Sequence, residues 1–290
     1  MQLLATAQKQ KKTIAATHRL AADKSHIRLT YVTHFYLNQT DATSVMDLLK
    51  RYETYSPALL DLIQFVIVDD GSPLTYDIPD LNLNLLWLKI TDDIPWNQAG
   101  ARNLGVIYAP SDKVLITDLD HEFPEETLRY MVQRGECGRH CYRIFRQGAR
   151  PHPHPNIFLI SRARFLRFYG YDEEFSGHYG AEDYRFVKIQ KYHGTRFIKM
   201  NRNYRCFERK DINRETAYHS LERDLRFNTP IDARKNREIL EYGPNAGHSR
   251  LFLNFSWRVC HTYHRQGTGV RKKRPLWKHF WHWRWVFGYK

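Results

Sequence analysis

Val114-Leu-Ile-Thr-Asp-Leu-Asp-His-Glu-Phe-Pro124 is the stretch that decides how the chain folds. Val114 to Ile116 is an apolar run of the length of a short buried strand. Two carboxylates, Asp118 and Asp120, follow at alternate positions where that strand should end. Residues two apart in a strand project from one face, so both carboxylates can converge on a point. Hard oxygen ligands converging at a strand's C-terminal end suit a divalent cation that carries phosphates. Alone, the triplet reads better as a polar turn with Pro124 opening the next helix, because so short a motif recurs by chance.

The flanking segments supply the sheet around it. Ile27 to Tyr36 is rich in β-branched and aromatic residues, a strand signal. Thr40 or Asp41 can cap a helix whose apolar positions, Val45, Leu48, Leu49, Tyr52 and Tyr55, follow helical spacing until Pro57. Phe65 to Val68 is a second buried strand, running into Asp69-Asp70-Gly71-Ser72-Pro73, and Leu85 to Ile90 is a third. This order predicts a mostly parallel sheet with right-handed crossovers, in which ligands sit outside the carboxyl ends of the strands. Asp69/Asp70, Asp92/Asp93 and Asp118/Asp120 all fall at that edge. A solvated loop accounts for Asp92 and Asp93, whereas Asp69 and Asp70, before a Gly-Ser-Pro turn, are better placed to grip a base or ribose.

Pro95 to Tyr108 reads as a loop entering a helix with Ala101, Leu104 and Tyr108 inside. Arg102 and Asn103 fall near its start, where free N–H groups and the helix dipole favour phosphate, or else Arg102 is an ordinary surface arginine. A helix from Pro124 to Gly135 and a strand over Tyr142 to Phe145 follow. Pro151-His-Pro-His-Pro155 reads as an exposed loop, then comes a strand over Asn156 to Ile160 and a helix capped by Ser161. Glycines at 170, 177 and 180 let backbone pass close to a ligand, ahead of Glu182 and Asp183 at a new helix start. Two acids there complement the helix dipole, or one of them is a general base for an attacking hydroxyl.

The chain has 290 residues, enough for a full core, with the composition of a folded protein. No apolar run approaches the roughly 20 residues needed to cross a bilayer. The first twelve residues lack the apolar segment of a signal peptide, so secretion by that route is not expected. Four cysteines are too few for a disulfide framework, and Cys137 and Cys141 lack the second cluster of a structural zinc site, so reduced thiols in a cytoplasmic protein are expected. Ten of the fourteen excess positive charges follow Glu241, so the net charge of +14 describes the C-terminal segment rather than the core.

Four motifs occur in order: Val66-Ile-Val-Asp-Asp-Gly-Ser72, Asn97-x-x-x-Ala101-Arg-Asn103, Asp118-x-Asp120-x-x-x-Pro124 and Gly170-Tyr-Asp-Glu-Glu-Phe175 with Glu182-Asp183. Together, over residues 27–230, they resemble inverting family-2 glycosyltransferases of the GT-A fold, with likeness to the β-1,4-galactosyltransferase and chondroitin-polymerase type. The resemblance implies an α/β fold, a Rossmann-like, mostly parallel central sheet flanked by helices. It implies transfer of a hexose or N-acetylhexosamine from a nucleotide sugar, UDP-linked by expectation, to a hydroxyl of a glycan or lipid-linked glycan. By the same resemblance Asp69, Asp70 and Asn97 belong to the nucleotide site, Arg102 to the diphosphate side, and Asp118 to the ribose or a metal-bound water. Asp120 would bind Mn²⁺ or Mg²⁺, Asp183 would be the catalytic base, and Glu182 would bind acceptor hydroxyls. Tyr179, or His178 if the loop register shifts, stands where the family has a tryptophan before the acceptor glycine, here Gly180. His219 best matches a downstream metal ligand, and His121, directly after the triplet, competes with it.

The expected organisation is a polar lead-in over 1–25, a catalytic domain over 26–240 and a basic aromatic tail over 241–290. The domain divides into a nucleotide-sugar half (26–125) and an acceptor half (126–240). Residues 271–290 mix cations with four tryptophans, which suits a peripheral position on an anionic membrane surface. Packing on the domain and stacking on nucleic acid are the rivals, nucleic acid the weakest. For the whole chain the competing reading is a non-catalytic nucleotide-sugar-binding or nucleic-acid-binding protein.

Overall fold

A computed structural model describes residues 24–38, 43–147, 153–212 and 220–265. The nucleotide half runs β1 (Leu29–Phe35), α1 (Thr43–Glu53), α2 (Pro57–Leu60), β2 (Ile63–Asp69), β3 (Leu85–Ile90), α3 (Gln98–Ile107) and β4 (Lys113–Asp118). The second half runs β5 (His121–Glu122), α4 (Glu125–Gln133), β6 (His140–Arg143), β7 (Phe158–Ser161), α5 (Arg162–Arg167), α6 (Glu182–Tyr192), β8 (Arg196–Lys199), β9 (Phe207–Glu208), α7 (Asn228–Tyr242) and β10 (Trp257–Tyr263).

Eight strands form one sheet in the order β10-β3-β2-β1-β4-β7-β6-β8, and β5 pairs with β9 separately. β3, β2, β1 and β4 are mutually parallel, while β7 turns antiparallel to β4. From β1 the chain first builds toward β2 and β3, then returns to place β4 on the opposite side. The gap beyond the ends of β1 and β4 is therefore a topological switch point, where sheets of this kind bind ligands.

Both faces of the sheet are covered, which is why its central strands are near-continuous apolar runs. Tyr31, Phe65, Ile67, Trp87 and Leu115 share one core cluster with α1 and α4, and Val32, Val66, Val68, Val114 and Ile116 share the other with α3 and α6. Each such fully buried side chain contributes about 1.5–3 kcal/mol. α3 sits especially close to β1, since a Cβ on Gly105 would lie 2.4 Å from Val32 Cγ1.

Three expectations change. The segment after 240 does not begin as a tail: β10 pairs antiparallel with β3, and Leu253 and Phe255 join the core. The boundary at 240 falls inside α7, and the folded domain continues through Tyr263. In the proline-rich loop, His154 is half-buried with its ring against His121 rather than exposed. Arg102 and Asn103 lie past the first turn of α3, where backbone N–H groups are already engaged within the helix, so they offer no helix N-terminus to a phosphate. No helix among the described residues is long and apolar enough to cross a membrane. Residues 1–23, Thr40, Asp41, His219 and the stretch 271–290 lie outside the described residues.

Candidate active site

A cavity of about 480 Å³ opens at the switch point. Asp70, Asp118, Asp120, Glu182 and Asp183 line it together with Tyr179 and Gly180, so seven of the residues expected at the site meet in one place.

The strand pleat carries only half of the metal-side geometry. Asp118, the last residue of β4, continues the face of Val114 and Ile116 toward α3, but the strand stops there. Asp120 reaches the site through a turn whose middle residue, Leu119, is buried in the opposite core cluster. The small sheet braces that turn: Arg209, just after β9, donates its backbone N–H to the Asp120 carbonyl at 2.9 Å and its guanidinium to the Leu119 carbonyl at 3.1 Å. One potential ligand atom each from Asp118, Asp120 and His121 then lies within 4.8 Å of the others. Two carboxylates and an imidazole form a donor set that fits a divalent cation.

Arg102 is 1% exposed, and its guanidinium forks between Asp118 Oδ1, at 2.5 Å, and Asp183 Oδ1. The Tyr171 ring lies 4.9 Å from it. Burial opposes the guanidinium's charge, but Asp183, Tyr171 and Asp118 outweigh it and hold the pKa well above the usual value. Arg102 is thus committed to two site carboxylates and does not line the cavity.

Asp69 and Asp70 separate. Asp69 continues the Phe65–Ile67 face into the core, is 0% exposed, and accepts from Ser72 N–H, the Tyr76 hydroxyl and Lys89 Nζ. Its oxygens are consumed inside the protein, which corrects its expected contact with a nucleotide. Asp70 faces the cavity, held by Asn97 Nδ2 at 3.1 Å, and burial raises its pKa well above the usual range. Asn97, 1% exposed, supports this carboxylate from behind and accepts from Ser176 Oγ at 2.8 Å.

The acceptor-side loop is held from within. Gly170 and Gly180 have φ of +62° and +90°, and a Cβ on Gly170 would lie 2.5 Å from Asn103 Oδ1. Asn103 itself clips α3 to this loop through the Tyr171 backbone and Glu173. Ala181, at φ +78°, precedes α6, so Glu182 and Asp183 occupy that helix's first turn and face the cavity. Burial, with the Asp183 charge adding, pushes Glu182 up to about 7. Burial also raises Asp183, with Arg102 acting in opposition. Gln98 Nε2 donates to Glu182 Oε1.

Three contributors escaped the sequence reading. Trp96, at φ +54°, lies with Tyr179 at a ring separation of 4.7 Å and donates its indole N–H to the Glu222 carbonyl at 2.9 Å. Arg223 lines the cavity with its guanidinium 5.9 Å from the Tyr179 ring. Asn228, 1% exposed, donates to the carbonyls of Phe175, His178 and Gly180 at 3.1, 2.9 and 2.7 Å. The tryptophan beside Asn97 was a usable signal, because an aromatic in a polar loop has no core to enter.

The fold and this crevice define the class as GT-A-like α/β. Residues 47–184, from α1 to the first turn of α6, match the family model described as glycosyl transferase family 2. No curated protein matches the chain. Among solved structures, S. aureus TarS residues 1–349 in complex with UDP-GlcNAc is similar with a TM-score of 0.51 and 13% identity, over 73% of this chain and 67% of that one. A mutant of Drosophila β1,4-galactosyltransferase 7 in complex with manganese, UDP-Gal and xylobiose gives 0.45 and 13%, over 70% and 80%. Mannosyltransferase PcManGT from Pyrobaculum calidifontis with GDP-Man and Mn²⁺ gives 0.45 and 19%, over 81% and 69%. The chain spans 40% of a longer TarS structure.

Proposed function

We propose that this chain is a metal-dependent, inverting glycosyltransferase. It would move a hexose or N-acetylhexosamine from a nucleotide sugar, UDP-linked by preference, to a hydroxyl of a glycan or lipid-linked glycan. The observation that carries the reading is the meeting, in one 480 Å³ cavity, of the Asp118/Asp120 pair with the Glu182/Asp183 pair. The match to the family model over the same residues supports it, as does the fold shared with a TarS fragment that binds UDP-GlcNAc.

Asp120 and Asp118 would hold a divalent cation, which when bound neutralises the charge developing on a nucleotide diphosphate leaving group. Asp70, kept in place by Asn97, would accept a hydrogen bond from the nucleoside. Asp183 would take the proton from the acceptor hydroxyl, whose oxygen attacks the anomeric carbon opposite the departing diphosphate and inverts it in one displacement. Unlike a glycosidase, this chemistry needs no second carboxyl as acid. Arg102 opposes the rise that burial imposes on Asp183 and would aim its carboxylate. Glu182 would bind acceptor hydroxyls, with Tyr179 and Trp96 offering ring faces to the sugar.

The reading is tested with a panel of UDP-sugars and Mn²⁺, scored for donor hydrolysis and for protection against thermal unfolding. Protection by one donor that requires Mn²⁺ supports it. Indifference to every nucleotide sugar would sink it.

A further inference from the structure

His121 is 1% exposed, and among the described residues neither of its ring nitrogens makes a hydrogen bond. Buried ring nitrogens left without a hydrogen bond cost stability unless another group satisfies them. Its Nδ1 lies 2.6 Å from Asp120 Oδ1, and the same two residues converge with Asp118. The ring is fixed from both sides. Its backbone pairs with Glu208 across β5 and β9, and its plane meets the His154 ring edge-on at 4.4 Å. His154 is otherwise engaged, its Nδ1 accepting from Asn156 N–H at 3.2 Å, and acts as a wall.

We propose that His121 is a direct metal ligand, completing with Asp118 and Asp120 a cation site contained within one turn, and that its imidazole makes the site prefer Mn²⁺ to Mg²⁺. The inference rests on the glycosyltransferase reading and goes beyond it by naming the third ligand and the metal class. Carboxylate oxygens serve Mg²⁺ and Mn²⁺ alike, but imidazole nitrogen favours the softer transition ion, and Mg²⁺ surrenders its waters reluctantly. The proposal places the nitrogen ligand at His121 rather than at His219.

The test uses the full chain with Mn²⁺ and UDP, read by pulsed EPR for coupling between Mn²⁺ and an imidazole nitrogen and by calorimetry for affinity. Nitrogen coupling is expected in the native chain and in His219→Ala, and its loss is expected in His121→Ala and His121→Asn. His121→Asn keeps an oxygen donor and a polar side chain, so it separates loss of nitrogen coupling from failure to fold, with circular dichroism as the control. Mn²⁺ affinity should fall about tenfold or more in His121→Ala, since even outer partners of metal ligands are worth 10–100-fold. The Mn²⁺/Mg²⁺ affinity ratio should narrow in both variants. Coupling that survives in His121→Asn and vanishes in His219→Ala would overturn the proposal, as would a native site with no nitrogen coupling. A native chain that binds no Mn²⁺ with UDP would instead overturn the metal-dependent reading beneath it.

Discussion

Arg102 holds Asp183 with one guanidinium nitrogen and Asp118 with the other, so the candidate base and the metal-side carboxylate share a single buried cation. A lysine could not reproduce the fork. Arg102→Gln leaves two largely buried carboxylates facing each other, and the expected destabilisation is about 3 kcal/mol, the low end for breaking a buried pair because both acids keep some solvent. Urea unfolding measures it, and an unchanged midpoint would show that the fork is not structural.

Asp183→Asn keeps the shape of the side chain and its place in the first turn of α6. Transfer should fall about 10²–10⁴-fold, the range for removing a general base. Donor protection against thermal unfolding should stay within error. Full transfer activity in this variant would reassign the base.

Glu182 yields a pH prediction with a definite sign. Its folded pKa, pushed up to about 7 from the ordinary 4.5, means the native state holds a proton that the unfolded chain releases earlier. The stability it contributes is present below about 4.5 and is lost as pH rises through about 7. Thermal midpoints in the absence of metal should fall across that window, and Glu182→Gln should flatten the fall. A Glu182→Gln curve parallel to the native one would assign the slope elsewhere.

Asn228 fastens the loop that carries Tyr179 and Gly180 through three carbonyls. Asn228→Ala strips those acceptors of their donor, at a cost of about 1–3 kcal/mol. Because the loop faces the acceptor side, its KM for acceptor should rise while metal-dependent donor hydrolysis holds. Equal losses in both would mean that Asn228 supports the whole crevice. Trp96→Ala should show the same split without the loss of stability.

The nucleotide half was legible because its strands are buried on both faces and therefore written as apolar runs between turn residues. The acids at 118–120 stood out because they end such a run, and those at 182–183 because they follow a glycine-rich loop at a helix start. The finer assignment at Asp69 was also within reach: period two from Phe65 and Ile67 points Asp69 inward and leaves Asp70 for the site. The second half hid for physical reasons. The buried residues of α7 include Asn228 and Lys235 with only Ile239 apolar among them, so hydrophobic periodicity cannot register the helix. β8 and β10 are largely exposed, and pairing rather than alternation makes them strands. Strands β5 and β9 are two residues each, too short for any pattern to mark, yet they brace the turn on which the site depends.

β10 also has a protective consequence. It occupies the flank of β3, whose Leu85-Leu-Trp-Leu88 run would otherwise present open backbone beside a row of apolar side chains. Such uncovered margins recruit strands from other molecules. The opposite margin, β8, has no further strand beside it among the described residues but carries exposed Arg196 and Lys199, charges that discourage intermolecular pairing. A chain shortened to Glu241 should therefore self-associate, whereas one shortened to Arg265 should stay monodisperse, and light scattering would separate the two.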